Sequence, residues 1–281
     1  MHSKTVTIYH SPDADDAFMF YGLTSGKVSF PGYEFKHALK DIEGLNQMAR
    51  RGEIDCTAVS VHAYAYLAEK YVILRSGASM GGETYGPRLV VREKFDLKDG
   101  KKRSIAIPGE LTSAALALKI YLAENKIQAN LVNMHFDAVQ KAVKEGTVDG
   151  GIIIHEGQIT HEREGLTSIL DLGQWWWSNH KLPLPLGVNI VDKKLGVEGI
   201  KAVSTVLRGT IEYSLAHRKE ALEYALSYGR GISMEEADKF VGWYVNDLTV
   251  DLGKAGTQSI ELFLSLGARH GLIPEVRPEF A

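Results

Sequence analysis

A histidine and a glutamate directly follow a short apolar segment near the middle of the chain. Gly150 and Gly151 precede three isoleucines, and His155 and Glu156 come next. β-Branched residues beside glycine are typical of a buried parallel strand, and ligands bind at the carboxyl ends of such strands. A histidine there is suited to act as a base, because the ordinary pKa of imidazole is about 6.5. A single histidine at a strand end more often has a structural role, with its polar atoms satisfied by neighbours.

A second group of polar residues follows the first predicted strand. The alternation of polar and apolar side chains over 5–9 predicts a strand that reaches a turn at Ser11. Asp13 is placed to cap the following helix, and Asp15 and Asp16 fall in its first turn, where carboxylates interact favourably with the helix dipole. Capping explains these acids about as well as a ligand site does. Strand-to-helix turns such as the one at Ser11 commonly bind ligand groups.

Hydroxyl groups occur at two further predicted strand ends. Ser60 ends a predicted strand over 54–60, and Thr112 or Ser113 begins a helix after a predicted strand over 104–107. Hydroxyls and free amides at a helix start are able to bind a carboxylate or a phosphate. A plain helix cap is the simpler interpretation of the Thr112 and Ser113 pair.

Several well-known catalytic and metal-binding motifs do not match this sequence. His155 and His161 are six positions apart, whereas the HExxH zinc motif needs two histidines four apart on one helix face. The glycine-rich dinucleotide motif GxGxxG and the phosphate-binding motif GxxxxGK[ST] are absent from the sequence. Cys56 is the only cysteine, which excludes an intrachain disulfide and a cysteine-based zinc site.

The overall composition limits the possible partners of the protein. The chain has 281 residues, more than one hydrophobic core usually serves, so two domains are expected. Its net charge of -3 argues against a nucleic-acid partner, because nucleic-acid surfaces are normally basic. No apolar run approaches the roughly 18 residues that span a bilayer, so no membrane partner is expected. The beginning of the sequence passes directly into a strand pattern without an export signal, which predicts a cytoplasmic protein.

The order of predicted elements indicates an α/β fold with two lobes. Two units of alternating strands and helices are separated by a charged crossing over 92–103 and are followed by a helical tail. This order predicts a cleft-forming architecture like that of periplasmic binding proteins, which close on a small molecule by hinge motion. We expect a larger discontinuous α/β domain, 1–92 with 188–281, and a smaller inserted α/β domain, 93–187.

Two further predictions concern elements near the expected cleft. The three consecutive tryptophans at 175–177 cannot all face the same way on a helix. At least one is expected to fill the core, and another could border a cleft as a flat apolar wall. After a predicted strand over 131–135, Asp137 is expected to cap a helix over 138–145.

Six short segments, taken together, resemble the 1,4-dihydroxy-6-naphthoate synthases of the futalosine route to menaquinone. The resemblance extends over nearly the whole chain, and several segments in one order are much more specific than any one alone. The segments are Ser11-Pro12 with Asp16 and Phe18, Arg75-Ser76-Gly77 with Gly86-Pro87, Pro108-Gly109 with Thr112-Ser113, Ile153-Ile154-His155-Glu156, 182–187, and Tyr244-Val245-Asn246.

The resemblance implies a type II periplasmic-binding-protein-like fold and a lyase without metal or cofactor. Members of that family cleave cyclic dehypoxanthinyl futalosine, a carboxylated spiro compound, to the dihydroxynaphthoate and a sugar fragment. The family's proton acceptor falls on His155, and a neutral histidine within about 3 Å of the proton is an adequate base. The predicted substrate-binding residues are Ser11, Asp16, Ala58, Val59, Ser60, Thr112, Ser113 and Glu156.

Two departures from the family pattern concern charge in the predicted site. After Ser-Pro the family usually has Cys-Pro-Asn-Asp, whereas this chain has Asp13-Ala14-Asp15-Asp16. A lysine that often precedes the Leu-Ser of the third strand end is also missing, because this chain has Ala58-Val59-Ser60. Like charges in a low-dielectric cleft repel an anion. We therefore hypothesise a related substrate that carries a polar or cationic group at its other end.

Two other functions remain open on the same fold. One is a non-catalytic solute-binding protein, since a fold does not determine a function, although such a protein would normally carry an export signal. The other is an enzyme like the chorismate dehydratase of the same pathway, but the segment ending in His155 and Glu156 fits the naphthoate synthases better. The expected partner is a small carboxylated molecule, and the sequence leaves the oligomeric state open. It also leaves open whether Glu156 orients His155 or faces solvent.

Overall fold

Two mixed β-sheets organise the protein, whose computed structural model describes residues 3–228 and 231–281. The predicted large domain includes residues 1, 2, 229 and 230, which lie outside the described part of the chain. The strands are β1 (Lys4–His10), β2 (Tyr33–Leu39), β3 (Cys56–Ser60), β4 (Tyr71–Ile73), β5 (Ser79–Gly81), β6 (Arg88–Val91), β7 (Arg103–Ile107), β8 (Ala129–Asn133), β9 (Gly150–Ile153), β10 (Thr167–Asp171) and β11 (Leu184–Asp192).

The two sheets have the same internal arrangement. The first has the order β2-β1-β3-β11-β4, with β5 paired to β11, and the second has the order β10-β6-β9-β7-β8. Each contains three parallel strands, namely β2, β1 and β3 in the first sheet and β8, β7 and β9 in the second. An antiparallel strand then follows the third, because β11 pairs with β3 and β6 pairs with β9. The strand before His155, predicted as parallel, is therefore parallel to one neighbour and antiparallel to the other.

Helices follow most of the strands and form the C-terminal part of the chain. The predicted helical tail is confirmed, since helices occupy most of 196–269. None of the described helices is long and apolar enough to cross a membrane. The helices are α1 (Ala14–Thr24), α2 (Ile42–Arg51), α3 (Val61–Tyr64), α4 (Ser113–Glu124), α5 (Phe136–Glu145), α6 (Gly157–Thr160), α7 (Leu172–His180), α8 (Gly196–Ala216), α9 (Arg218–Leu226), α10 (Met234–Tyr244), α11 (Asp247–Val250) and α12 (Gly253–Arg269).

The start of α5 corrects one predicted helix cap. The helix begins at Phe136, and His135 occupies the capping position, where its side chain accepts a hydrogen bond from the Asp137 backbone N–H. Asp137 instead falls in the first turn of the helix, where a carboxylate interacts favourably with the helix dipole. Histidine is not among the usual capping residues, so residue type alone favoured Asp137 as the cap.

The chain crosses between the sheets earlier than the predicted domain boundaries. β6, within predicted segment 1–92, belongs to the second sheet, and β11 joins the first sheet from Leu184, within predicted segment 93–187. Sheet membership therefore places the crossings at 82–87 and 172–183. The pattern of Arg88–Val91 identifies a strand but carries no information about the sheet that it joins. The division into two domains stays a prediction.

The two crossings approach each other backbone to backbone. A Cβ atom added at Gly173 would lie 2.1 Å from the Tyr85 carbonyl oxygen, and one added at Gly86 would lie 2.5 Å from the Gly173 nitrogen. These separations are too short for any side chain, so only glycine permits the approach. The contact brings the beginning of α7 against the segment that leads into β6.

Trp176 on α7 is among the largest fully buried side chains of the described chain. Its indole N–H donates to the Ser259 hydroxyl of α12 at 3.2 Å, and its ring packs edge-on against Phe263 with centroids 5.5 Å apart. Trp175 and Trp177 are only partly buried. The prediction that at least one tryptophan fills the core is confirmed. Trp175 borders a shallow surface groove with Tyr121 rather than the cleft described below.

Candidate active site

A cavity of about 100 Å³ lies where strands of both sheets end. Ser11 follows β1 and Ser60 ends β3 in the first sheet, whereas Thr112 comes after β7 and Ile154 after β9 in the second. Both sheets therefore direct the carboxyl ends of their parallel strands at one cleft, the usual ligand position in such sheets. Six of the predicted site residues line this cleft: Ser11, Asp16, Ala58, Ser60, Thr112 and Ser113.

Three predicted site residues do not line the cleft. Val59 is fully buried in the core, because successive residues of a strand point to opposite faces and only Ala58 and Ser60 face the cavity. His155 and Glu156 are buried, and in the chain they directly follow Ile154, which does line the cavity. The Val59 side chain therefore does not line the cleft, and the ligand roles of all the predicted site residues stay predictions.

The His155 ring is held by the chain that follows it. Its Nδ1 accepts a hydrogen bond from the Gly157 backbone N–H at 3.1 Å, and Phe136 packs edge-on against the ring with centroids 5.4 Å apart. A neutral imidazole has one acceptor nitrogen and one N–H, so this bond assigns the proton to Nε2. His155 can take a proton from a ligand only if Nδ1 gives up the Gly157 hydrogen bond or the ring exchanges tautomer.

Glu156 connects the two sides of the cleft. Its Oε1 accepts a hydrogen bond from the Ala14 backbone N–H, at the start of α1, over 3.3 Å. Its Oε2 lies 3.9 Å from His155 Nδ1, which is too far for a hydrogen bond. Glu156 is 1% exposed and contacts the first turn of α1. Its burial excludes one of the two roles left open by the sequence, namely a position that faces solvent.

The acidic residues at the start of α1 are bonded mainly to Ser11. The Ser11 backbone N–H donates to Asp16 Oδ2 at 2.9 Å, and its hydroxyl donates to Asp13 Oδ2 at 2.8 Å. Asp13 occupies the capping position of α1 without accepting a hydrogen bond from the helix. Burial, with a contribution from the charge of Asp13, raises the pKa of Asp16 to about 7. Burial and the charge of Asp16 raise the pKa of Asp15 well above its usual range.

These raised pKa values change the charge argument made from the sequence. That argument counted the added carboxyl groups as full negative charges. Burial disfavours the ionised form of a carboxylic acid, so Asp15 and Asp16 retain protons at pH values where exposed carboxyls are ionised. A protonated carboxyl donates a hydrogen bond to a ligand oxygen and repels an anion less than a carboxylate does.

Replacing Asp16 with asparagine is expected to raise the free energy of unfolding at about pH 8 by about 1–4 kcal/mol. The unfolded chain has an Asp pKa near 3.9, so wild type loses stability as the pH rises from about 4 through the raised pKa of about 7. Asparagine keeps an acceptor for the Ser11 N–H and does not titrate. Urea unfolding near pH 5 and near pH 8 measures the difference, with exposed Asp96→Asn as control. An equal pH dependence in wild type and Asp16→Asn would contradict the raised pKa.

Ser60 is oriented by Asn46, a residue that the sequence interpretation missed. The Asn46 Oδ1 accepts from the Ser60 backbone N–H at 2.8 Å, and its Nδ2 donates to the Ser60 hydroxyl oxygen at 3.1 Å. This arrangement leaves the hydroxyl hydrogen of Ser60 able to donate to a ligand. Asn46 is fully buried on α2 beside Leu45 and Ala49. A polar residue on the apolar face of a predicted helix was the available signal.

The start of α4 supplies further hydrogen-bond donors to the cleft. The Thr112 hydroxyl caps the helix by accepting from the Ala115 N–H at 3.2 Å, as the simpler interpretation of this pair expected. The Ser113 hydroxyl donates to the Leu186 carbonyl at 2.6 Å and accepts from the His62 N–H at 3.2 Å. Both hydroxyls are thus already engaged. The amides of Ser113 and Ala114 belong to the first helical turn, where N–H groups have no helical acceptor and favour an anion.

Gln158 and Tyr244 complete the wall near α1. The Tyr244 hydroxyl donates to Gln158 Oε1 at 2.7 Å, and both residues are buried and line the cleft. Gln158 lies three residues after His155, and Tyr244 lies in a segment used for the resemblance. Neither was predicted as a site residue. Within residues 3–228 and 231–281, no three His, Cys, Asp or Glu side chains come together in a way that could hold a metal ion.

Comparisons with known proteins identify relatives of this chain. A family model described as menaquinone biosynthesis matches residues 6–269. The chain is 36% identical over 271 residues to the 1,4-dihydroxy-6-naphthoate synthase of Thermus thermophilus, which covers 96% of this chain and 97% of the relative. A crystal structure of an Archaeoglobus fulgidus protein is 41% identical, with a TM-score of 0.90 over 97% of this chain and all (100%) of that chain.

A more distant structure identifies the fold alone. A Candida albicans protein described as having the generic periplasmic binding protein fold is 13% identical, with a TM-score of 0.72 over 97% of this chain and 92% of that chain. This similarity and the strand order described above confirm the predicted fold class. The chain therefore belongs to the menaquinone-biosynthesis family, in which its relative is named 1,4-dihydroxy-6-naphthoate synthase, and it has the periplasmic-binding-protein fold.

Proposed function

We propose that this protein is a 1,4-dihydroxy-6-naphthoate synthase that cleaves cyclic dehypoxanthinyl futalosine as a carbon–carbon lyase. Its family and its named relative support the reaction, and the cleft supports the substrate. The observation that carries the proposal is one cleft that combines hydrogen-bond donors at β3 and α4 with buried acids of α1 and is lined by Ile154, the residue before His155. The substrate needs both, because it joins a carboxylated ring system to a sugar-derived ring.

The carboxylate of the substrate is assigned to the end of the cleft formed by Ser60 and the first turn of α4. The Ser60 hydroxyl and the backbone amides of Ser113 and Ala114 supply uncharged donors at the positive end of the helix dipole. Donors of this kind hold a carboxylate without a lysine or arginine. They therefore compensate for the lysine that is missing before Val59 and Ser60.

The carbon–carbon cleavage is assigned to proton removal by His155. Removing a proton from a sugar hydroxyl lets the oxygen form a carbonyl group while the electron pair of the broken bond moves into the ring system, which becomes aromatic. His155 must release its Nδ1 from the Gly157 N–H to accept that proton directly. Rearrangement of α6 when substrate binds would make this possible, since hydrogen bonds at active sites often change between the free and bound enzyme.

The proposal is tested by incubating the purified protein with cyclic dehypoxanthinyl futalosine and following the products by mass spectrometry. We expect 1,4-dihydroxy-6-naphthoate and the sugar fragment to appear in equal amounts. Chorismate, offered in parallel, is expected to remain unchanged. Tight binding of the futalosine compound without turnover would indicate a solute-binding protein, and dehydration of chorismate would indicate the sister enzyme. Either result would overturn the proposed reaction.

A further inference from the structure

The amide nitrogen of Gln158 has no hydrogen-bond partner among the residues that the structure describes. Gln158 is 1% exposed and lines the cleft, and its Oε1 is occupied by the Tyr244 hydroxyl at 2.7 Å. That hydrogen bond holds the amide group in place, with Oε1 toward the Tyr244 hydroxyl and the NH₂ group away from it. Because Gln158 lines the cleft and its Oε1 is engaged, its NH₂ group is the part of the side chain available to donate to a ligand or water there.

Gln158 lies at a different end of the cleft from the carboxylate-binding donors. The loop after β7 contacts α2 and α3, because the Leu111 N–H donates to Glu43 and the His62 N–H donates to Ser113. The loop after β9 instead contacts α1 and α10, through Glu156 with Ala14 and through Gln158 with Tyr244. The two loops of the second sheet therefore close two separate parts of one cleft.

The chemistry near Gln158 is suited to hydroxyl groups. Its amide supplies two uncharged donors, and the carboxyl group of Asp15 is close enough that its charge raises the pKa of Tyr244. Asp15 and Asp16 also line this part of the cleft and supply acceptors, or donors when they are protonated. Neutral polyhydroxyl compounds fit this combination of donors and acceptors.

We propose that Gln158, oriented by Tyr244, binds an oxygen of the sugar-derived ring of the substrate and thereby distinguishes the substrate from its aromatic product. This inference rests on the proposed function. Gln158 is the contacting residue, and Tyr244 is a positioning residue that acts through it. The product lacks the sugar-derived ring, so it forgoes this contact and leaves more readily than the substrate does.

The test compares the KM for cyclic dehypoxanthinyl futalosine with the dissociation constant of 1,4-dihydroxy-6-naphthoate. Gln158→Glu keeps the side-chain length and an acceptor for Tyr244 but removes both amide hydrogens. We expect its KM to rise roughly three- to tenfold, the usual effect of losing one hydrogen bond, while its affinity for the naphthoate stays within about twofold of wild type. Ser60→Ala is expected to weaken binding of both compounds, because both carry the carboxylate.

Tyr244→Phe tests the positioning role. This variant retains the amide donors of Gln158 but lets the amide group rotate. The KM of Tyr244→Phe for the substrate is therefore expected to rise by less than the KM of Gln158→Glu. Its affinity for the naphthoate should again stay near that of wild type. A purely structural effect would instead lower thermal stability and change binding of both compounds together. That joint change would overturn the role given to Tyr244.

Matched controls remove the same groups outside the cleft. Gln258→Glu changes an exposed residue of α12, and Tyr224→Phe removes a hydroxyl that bonds to Tyr228. Both controls are expected to leave KM unchanged. This inference alone is overturned if wild type is active but Gln158→Glu has an unaltered KM. It is also overturned if Gln158→Glu weakens binding of the substrate and of the naphthoate equally. Wild type that binds neither compound overturns both the inference and the proposed function.

Discussion

Replacing His155 with alanine is expected to lower kcat by about 10²- to 10⁴-fold, the range usual for loss of a general base. We propose that the substrate's carboxylate binds at Ser60 and α4, so binding of 1,4-dihydroxy-6-naphthoate should change little. The ring packs against Phe136 and its Nδ1 accepts from the Gly157 N–H. Alanine therefore also removes contacts that hold the loop after β9, and a second variant must separate the two effects.

His155→Asn provides that separation. The Oδ1 of asparagine can replace Nδ1 as acceptor for the Gly157 N–H, but the side chain has no basic nitrogen. If proton transfer is the role of His155, both variants lose kcat to a similar degree. His270→Ala, at the end of α12, is the matched control and should retain full activity. Near-normal kcat in a folded His155→Asn protein would rule out His155 as the base and give it a structural role.

Replacing Trp176 with alanine is expected to lower the free energy of unfolding by about 3–5 kcal/mol. The indole is fully buried and packs edge-on against Phe263 of α12, so truncation removes a large apolar contact and leaves a cavity. It also removes the donor to Ser259, whose own hydroxyl bonds to the Pro183 carbonyl at 2.5 Å. Pro183 comes just before β11, which contributes Leu186 and Val188 to the cleft.

Urea unfolding followed by circular dichroism measures this loss of stability. Trp177→Ala is the control, because its side chain is only partly buried and should cost much less. Trp176→Phe keeps most of the apolar volume and is expected to be intermediate. Similar losses for Trp176→Ala and Trp177→Ala would show that the burial of Trp176 does not determine stability. Because β11 contributes Leu186 and Val188 to the cleft, the kcat of the folded Trp176→Ala protein reports whether β11 has moved.

Local patterns in the sequence determined the secondary elements and the positions where polar residues follow strands. The apolar segment before His155, the hydroxyl at Ser60 and the helix start at Thr112 were all identified from residue type and spacing. These features depend on neighbouring residues, because side-chain periodicity and helix capping act over a few positions. The same locality limits what these patterns predict, because a two-residue period separates the faces of Val59 and Ser60 but does not show which face is buried.

Only the tertiary structure decided which of these residues share a site and which charges they carry. Gln158 and Tyr244 are 86 positions apart, and Glu156 meets Ala14 across 142 positions, so no local pattern records either contact. Packing of distant segments also determines which sheet Arg88–Val91 joins. The same packing buries Asp16 and so raises its pKa. The sequence thus determined the elements and the residue types at their ends. Their pairing and protonation depend on long-range contacts and on exclusion of water, which exist only in the folded chain.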